Sequence, residues 1–359
     1  MPKANYYGLI LAGGRGTRFW PKSRRSFAKQ VMTVTGTRSL IQSTVDRLRP
    51  VIAPERMWVL TNEFLRDEIV RQLPEVPKRQ ILAEPAQRNT APAIGLAAHI
   101  LQSIDPDAVF GVFPSDHVIG KPARFRDLLR RLLRAAAEGR IGILGIQPLW
   151  PETGYGYIEF PTEALKSVTQ PVVVRSFREK PDKATAEMYL RAGNFYWNAG
   201  MFFWRADVVL EEVRKHLPRT ATLLASLPSF SSRRFGEKLR ETFPMCENIS
   251  IDRAVLEKAS QVVALASGDI EWNDVGSWNA VYKLHRGDKR GNAIPFGTIA
   301  LASDGNFVDA PGKMVALVGV NDLVVVDTPD AILIAHRERA QDVGAVVELL
   351  EKAKREDLL

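Results

Sequence analysis

The sequence has little cysteine: Cys246 is the only one among 359 residues. A single cysteine excludes an intrachain disulfide and a cysteine-based metal site. The fold must therefore be held by an apolar core, and 45% hydrophobic residues are enough to build one. At roughly 150 residues per domain, this length predicts about two domains. A protein without disulfides suits a reducing compartment, so we expect it to be cytoplasmic.

Long apolar runs are also missing from the sequence. No segment approaches the ~20 consecutive apolar residues that a membrane-spanning helix needs. The N-terminal residues lack the apolar stretch and cleavage site of a secretory signal. We therefore expect neither secretion nor membrane association.

Positive charge exceeds negative charge, but it is not concentrated in one place. The formal net charge is +8, and the basic residues are spread along the chain. A nucleic-acid-binding protein would need a clustered basic face and a salt-dependent affinity. Polyphosphate substrates explain the excess equally well, so we expect no nucleic-acid partner.

Glycines cluster directly after the first apolar stretch. Residues 6–11 are short, apolar and rich in β-formers, which predicts a buried strand. Gly13, Gly14 and Gly16 then allow a sharp bend that turns backbone N–H groups towards an anion. Basic residues continue to Lys29, and this combination suits a triphosphate. The alternative is a tight turn with a solvated basic face.

Two commoner glycine motifs do not fit this loop. A P-loop needs Lys-Ser or Lys-Thr at a fixed spacing from its glycines, and the sequence has neither there. A dinucleotide-binding fingerprint needs a third glycine where this chain has Phe19.

Strands and helices alternate through the first 146 residues, which predicts an α/β fold with a mostly parallel sheet covered on both faces. Ligands of such sheets bind at the carboxyl ends of the strands. The pattern becomes irregular from Trp150, and short strands separated by turns begin near residue 288. We predict domains at residues 1–287 and 288–359.

Two aspartates are candidates for metal binding. Asp116 follows an apolar strand, and Asp274 lies in Asp-Val-Gly-Ser-Trp at residues 274–278. Two carboxylates held close together repel by roughly 4 kcal/mol at an effective dielectric near 20, and a hard dication relieves that repulsion. Periodicity cannot establish that they meet. Taken alone, Asp116 is a turn or helix cap and Asp274 a turn residue.

Residues 13–21 (Gly-Gly-Arg-Gly-Thr-Arg-Phe-Trp-Pro), with Lys29-Gln30, resemble the signature of sugar-1-phosphate nucleotidylyltransferases. The family usually has proline before the signature lysine, whereas this chain has Ala28. The resemblance covers nearly the whole chain and keeps the order of the motifs. The further matching segments are residues 84–93, 114–117, 151–157, 177–181, 197–201 and 271–278.

The resemblance implies a Rossmann-like catalytic domain, similar to GT-A folds, and a small C-terminal domain like a left-handed β-helix. It is strongest to family members that transfer GMP from GTP to mannose 1-phosphate, giving GDP-mannose and pyrophosphate. It implies Mg²⁺ as cofactor, with Mn²⁺ as a second candidate, and a homodimer as a candidate assembly.

The resemblance also implies roles for individual residues. Arg18, Lys29 and Lys180 match the catalytic cations, and Asp116 and Asp274 match the metal ligands. The implied nucleotide-binding residues are Leu11, Ala12, Gly13, Gly14, Gly16, Thr17, Glu84, Arg88, Asn89, Thr90 and Ser115. The implied sugar-phosphate-binding residues are Gly154, Tyr155, Gly156, Glu179, Asn198 and Gly200.

Each of these segments also has a purely structural interpretation. Asn89 or Thr90 can cap a helix, residues 151–157 can be a plain turn, and residues 177–181 a charged surface turn. The motif Ser-Ile-Asp at residues 250–252 is interpreted mainly as a capped helix start.

Two other functions remain open. The chain can be a nucleotidylyltransferase for another base or sugar, or a non-catalytic relative that binds a nucleotide sugar as a regulatory subunit. Some relatives carry an isomerase domain of the cupin type after the transferase. This chain ends at Leu359, so we expect no isomerase activity.

Overall fold

The computed structural model describes residues 5–163, 170–295 and 297–359, and within them a ten-stranded sheet forms the centre of the molecule. Its main path has the strand order β3-β2-β1-β4-β10-β6-β11-β8, with β7 and β9 paired beside β10. The strands of this sheet are β1 (Tyr6–Ala12), β2 (Met57–Asn62), β3 (Ile81–Glu84), β4 (Val109–Pro114), β6 (Ile141–Ile146), β7 (Tyr157–Glu159), β8 (Val172–Val173), β9 (Ser176–Arg178), β10 (Phe195–Arg205) and β11 (Val262–Ala266).

Most of these strands run in one direction, which confirms the predicted α/β fold. Strands β3, β2, β1 and β4 are parallel neighbours. Strand β10 is antiparallel to both β4 and β6, and β11 is again parallel to β6. The exceptions arise in the second half of the domain, where the sequence pattern becomes irregular.

Helices cover both faces of the sheet. Leu9 of β1 packs into one core with α3 and α6, and the next residue, Ile10, packs into the other core with α1 and α4. This alternation follows from the period of two along a strand. The helices are α1 (Leu40–Leu48), α2 (Arg66–Gln72), α3 (Thr90–Ile104), α4 (Pro122–Ala137), α5 (Lys183–Ala192), α6 (Ala206–His216), α7 (Pro218–Ala225), α8 (Phe235–Thr242), α9 (Trp278–Leu284) and α10 (Val343–Lys352). In the described ranges, none of them has both the length and the apolarity to cross a membrane.

Two strand pairings bring the candidate site together. Leu11 at the end of β1 pairs with Pro114 at the end of β4, so the loops after these strands leave the same edge of the sheet. A small ladder joins β5 (Val118–Ile119) to β12 (Trp272–Asn273), with Asn273 opposite Val118. This ladder places Asp274, which follows β12, next to the segment that contains Asp116, which precedes β5.

The tail, residues 288–359, coils as a β-helix. Strand β13 (Ile299–Leu301) pairs in parallel with β15 (Ala316–Val318), and β14 (Phe307–Asp309) pairs in parallel with β16 (Leu323–Asp327). Both pairings join residues 17 positions apart, as successive turns of one coil require. Strand β17 (Ile332–His336) then closes antiparallel against β16. The predicted β-helix-like fold is confirmed, whereas its hand and the boundary near residue 288 stay predictions.

The tail packs against the basic loop, which we define as residues 13–30. Phe19 and Trp278, which precede the tail in the sequence, share an apolar cluster with Phe307 and Val343 of the tail. Trp20 Nε1 also donates to a tail carbonyl, that of Leu358, at 3.0 Å. Four basic side chains of the loop pair with tail carboxylates: Arg15 with Glu351, Lys22 with Asp309, Arg24 with Asp330, and Arg25 with Glu356.

Candidate functional site

Lys29 joins the two candidate metal ligands at the carboxyl edge of the sheet. Its Nζ lies 2.8 Å from Asp116 Oδ2 and donates a 2.7 Å hydrogen bond to the backbone carbonyl of Asp274. The Lys29 side chain is buried. The Lys29 ammonium therefore contacts both aspartates, which brings them close to each other. Lys29 and Asp274 are 245 positions apart in the sequence.

His117 lies between these groups and is neutral. Its Nδ1 accepts a 3.2 Å hydrogen bond from Trp272 Nε1. Burial lowers the pKa of His117 to about 4, although the carboxylates of Asp116 and Asp274 act in the opposite direction. The influence of both carboxylates on one imidazole is a second sign of their proximity. His117 acts here as a hydrogen-bonding residue.

Asp116 is held in its ionised form. Burial is the strongest single influence and favours the neutral acid, but the Lys29 ammonium and several weaker interactions together lower the pKa of Asp116 below its usual value. Asp274 accepts a hydrogen bond from the hydroxyl of Tyr155, whose pKa is raised by burial and by the Asp274 charge. Asp116 and Asp274 thus both present carboxylate oxygens at this edge of the sheet.

The glycine loop is held from beneath by a buried amide. Gln30 Nε2 donates to the carbonyls of Ala12 and Gly14 at 2.7 and 2.9 Å. Gly16 has a φ of +62°, and a Cβ there would lie 2.9 Å from the amide nitrogen of Lys29. Glycine is therefore required at position 16, both by its left-handed backbone and by the close approach of the lysine segment.

A cavity of about 470 Å³ opens beside this loop. Burial raises the pKa of Glu84 on its wall to about 8. Asn89 caps α3 by accepting from the amide of Thr90 at 2.9 Å. The predicted nucleotide-binding residues that line the cavity, together with Asp116, are Leu11, Gly13, Gly14, Glu84, Arg88, Asn89, Thr90 and Ser115.

Two arginines among the predicted site residues, Arg88 and Arg18, already form hydrogen bonds with other protein groups. The Nε of Arg88 donates to the carbonyl of Pro244 at 2.8 Å, although Arg88 lines the cavity. Arg18 Nη1 donates at 2.8 Å to Gln341 Oε1 of the tail. Thr17 faces a second cavity, of about 460 Å³, between the basic loop and the tail.

The predicted sugar-phosphate residues also come together. A Cβ on Gly156 would lie 2.7 Å from Glu179 Oε2 and 3.3 Å from the Cβ of Asn198, so these three residues are in close contact. Lys180 Nζ lies 3.2 Å from Glu179 Oε1, and more than half of its side chain is exposed. Asn198 Oδ1 accepts from the amide of Gly200 at 3.0 Å.

Sequence reasoning missed Asp252 in this group. Asn198 Nδ2 donates to Asp252 Oδ1 at 2.9 Å, which places this carboxylate beside Glu179 and Asn198. The residue opens a π-helical turn, Asp252–Leu256, and the amide of Arg253 meets Ser250 Oγ at 3.4 Å. The Ser-Ile-Asp motif could have identified Asp252, but its capping pattern explained it without a ligand.

Strained backbone also concentrates around the site. Among the residues that the structure describes, seven non-glycine residues have a left-handed φ, and four of them lie in the predicted motif segments. The strain of a residue in this region costs on the order of 1–3 kcal/mol and persists where the surroundings impose it. The four are Asn89 (64°), Lys180 (48°), Glu271 (52°) and Val275 (49°).

The donor set around Asp116 and Asp274 suits a hard divalent cation. Both residues offer carboxylate oxygens, and Gly276 leaves room beside Asp274, where a Cβ would lie 2.7 Å from Oδ2. In the described part of the chain, no cluster of three or more His, Cys, Asp or Glu side chains could hold a metal alone. Mg²⁺ commonly binds through one or two carboxylates and completes its shell with phosphate oxygens and water. The two aspartates fit that pattern.

The chain is similar to known proteins over nearly its whole length. The model of the family described as "Nucleotidyl transferase" matches residues 7–291, and that of "MannoseP isomerase/GMP-like beta-helix domain" matches residues 297–350. The chain is similar to a mannose-1-phosphate guanylyltransferase of Klebsiella pneumoniae, with 38% identity over 97% of this chain and 74% of the relative. Alginate biosynthesis protein AlgA of Pseudomonas aeruginosa is 38% identical over 97% of this chain and 73% of its own length.

A solved structure is also similar over nearly the full length. It is a Thermus thermophilus protein described as a mannose-1-phosphate geranyltransferase, with a TM-score of 0.84 and 32% identity. The match covers 97% of this chain and 99% of that chain.

Proposed function

Because the chain belongs to the nucleotidyl transferase family, we propose that it transfers GMP from GTP to mannose 1-phosphate, giving GDP-mannose and pyrophosphate. The sugar phosphate oxygen attacks the α-phosphorus in line, and pyrophosphate leaves from the opposite side. The attacking oxygen is already ionised at neutral pH, so no general base is needed. Positioning and charge neutralisation therefore dominate the catalysis.

The basic loop binds the triphosphate in this proposal. Backbone amides of the glycine loop point at phosphate oxygens, and Lys29 neutralises charge near the α-phosphate. Arg18 reaches the outer phosphates after exchanging Gln341 for a stronger, charged partner. Gln30 supports this role because it fixes the carbonyls of the same loop from behind.

Asp116 and Asp274 would hold a divalent cation, for which Mg²⁺ is the proposed species and Mn²⁺ the alternative. When bound, this ion would supply Lewis-acid neutralisation of charge on the α-phosphate. Lys29 orients Asp116 through the 2.8 Å ion pair and fixes the Asp274 backbone through the 2.7 Å hydrogen bond.

The base occupies the cavity of about 470 Å³. Guanine presents two N–H donors on one edge, and an ionised carboxylate can accept both. Glu84 supplies this carboxylate, because its pKa of about 8 falls when two donors bind the ionised form. Adenine lacks the paired donors, so the site favours GTP over ATP.

The convergence of Lys29, Asp116 and Asp274 beside a base-sized cavity carries the proposal. Its test is pyrophosphate release measured for four nucleoside triphosphates against several sugar 1-phosphates. We expect GTP with mannose 1-phosphate to have the highest kcat/KM of the panel. A higher kcat/KM for another pair would reassign the substrates, and no release with any pair would favour a non-catalytic binding protein.

We predict that Lys180→Met mainly weakens use of the sugar phosphate. Its exposed ammonium contacts the phosphate of that substrate, and losing such a charge-assisted contact costs about tenfold or more in affinity. The KM for mannose 1-phosphate should rise, while the KM for GTP stays unchanged. Lys183→Met, a lysine three positions along in α5, is the matched control. An unchanged KM for the sugar phosphate would remove the role given to Lys180.

A further inference from the structure

The cluster formed by Gly156, Glu179, Asn198 and Asp252 includes a carboxylate, that of Asp252, to which the proposed function gives no role. We propose that Asp252 is a sugar-binding residue whose carboxylate accepts a hydrogen bond from a ring hydroxyl of the sugar 1-phosphate. This inference rests on the proposed function and assigns it a further specificity-determining group.

Hydrogen bonds fix the orientation of the Asn198 amide. Its Oδ1 accepts from the Gly200 amide at 3.0 Å, and its Nδ2 donates to Asp252 Oδ1 at 2.9 Å. The Gly200 backbone is left-handed, with a φ of +66°, and this turn aims its amide at the side chain. Asn198 therefore has one N–H left for a ligand and acts chiefly by orienting Asp252.

The Asp252 carboxylate has more acceptor positions than the described protein donors occupy. A carboxylate offers about four lone-pair positions. Two donors reach this one within the described residues: Asn198 Nδ2 and the backbone amide of Asp252 itself. The remaining positions suit hydroxyl donors from a ligand.

Glu179 narrows the choice of ligand further. Its side chain is only 8% exposed, and its charge acts on Asp252. Two neighbouring carboxylates repel an anionic ring substituent, but they can accept hydrogen bonds from neutral hydroxyl groups. Lys180, on the open side, provides a cation that acts on Asp252, and it suits the phosphate end of the ligand. The charges of this cluster thus suit a neutral polyol ring with a phosphate at one end, and they disfavour a uronic acid.

The protonation state of Asp252 gives the proposal a distinctive signature. Burial, followed by the Glu179 charge, raises the pKa of Asp252 to about 7, against a smaller opposing effect of Lys180. The other charged group at this place is Glu257, whose Oε1 accepts from the Glu179 amide at 3.0 Å. Above pH 7 the ionised carboxylate accepts a charge-assisted hydrogen bond from a sugar hydroxyl, and below pH 7 the neutral acid accepts only a weaker one.

Asp252→Asn tests the assignment with little disturbance, because the amide oxygen can still accept from Asn198. We expect the KM for mannose 1-phosphate to rise about tenfold at pH 8, as for loss of a hydrogen bond to a charged group. The KM for GTP and the melting temperature should not change. Asp207→Asn, which removes an aspartate from the first turn of α6, is the control for a helix-end effect.

The pH profile separates binding from a structural role. The ratio of kcat/KM between wild type and Asp252→Asn should be about ten at pH 8 and approach one below pH 6, and titration of the substrate phosphate cancels in this ratio. A panel of mono-deoxy mannose 1-phosphates should reveal one analogue that the wild type penalises and the variant does not.

An unchanged KM, a pH-independent ratio or an equal response to every analogue would overturn the assignment of Asp252. Failure of the proposed function is distinguishable, because the wild type would then release no pyrophosphate from GTP and mannose 1-phosphate. That result would appear before any variant is compared, and it would remove the inference as well.

Discussion

Lys29→Met is expected to lower kcat by about 10²- to 10³-fold, the usual loss when one preorganised donor to a developing charge is removed. Lys29 contacts both Asp116 and the Asp274 backbone. The change therefore removes a cation that neutralises phosphate charge, and it also removes the two contacts that hold the aspartates in place. The pKa of Asp116 should rise as well, because the Lys29 ammonium is the group that lowers it. Steady-state kinetics with GTP and mannose 1-phosphate, with the melting temperature as a check on folding, measure the effect.

Lys22→Met is the matched control for that variant. Lys22 lies in the same basic loop but pairs with Asp309 of the tail at 2.5 Å, away from Asp116. Its replacement should leave kcat within about twofold, because its ion pair belongs to the contact with the tail and not to the candidate metal site. Equal activity of wild type and Lys29→Met would contradict the central role of Lys29.

Asp116→Asn is expected to lower turnover about 10²-fold at a fixed Mg²⁺ concentration and to raise the Mg²⁺ concentration needed for half-maximal activity. Asparagine is almost the same size and can still accept a hydrogen bond from Lys29, so the fold should survive. It lacks the negative charge that draws a hard cation. Activity measured across a series of Mg²⁺ and Mn²⁺ concentrations, and after removal of metal with EDTA, gives both quantities.

Asp309→Asn controls for the loss of a carboxylate, because Asp309 pairs with Lys22 and not with the candidate metal ligands. Its metal dependence should match that of the wild type. Full turnover and an unshifted metal requirement in Asp116→Asn would count against this aspartate as a ligand.

Local patterns predicted the first half of the fold well. The apolar pattern that follows Asn89 indicates a helix over residues 90–104, and the structure has α3 there, with Asn89 as its cap. The apolar run Met-Phe-Phe-Trp indicates a strand only at residues 201–204, although β10 starts at Phe195. The left-handed Gly200 and a shift of register between Asn198 and Phe202 interrupt its alternation, so the sequence pattern hides the first half of this strand.

The assembly of the site was harder to predict than its parts. Strands β5 and β12 have two residues each, too few for any periodicity, yet their pairing carries Asp274 to Asp116. The contact became predictable through family resemblance alone. Asp252 was missed for a different reason: a capping motif explained it locally, and only the folded chain reveals Asn198 beside it.

The contact between the tail and the basic loop left no local signal, because Arg15 and Glu351 are 336 positions apart. Four tail carboxylates serve as built-in counterions for the loop, so its cations do not repel one another while the triphosphate is absent. Under the proposed function, incoming phosphates compete with Glu351 for Arg15 and with Gln341 for Arg18. Nucleotide binding and the contact of the tail with the basic loop are therefore linked by mass action: bound nucleotide weakens this contact, and the contact weakens nucleotide binding.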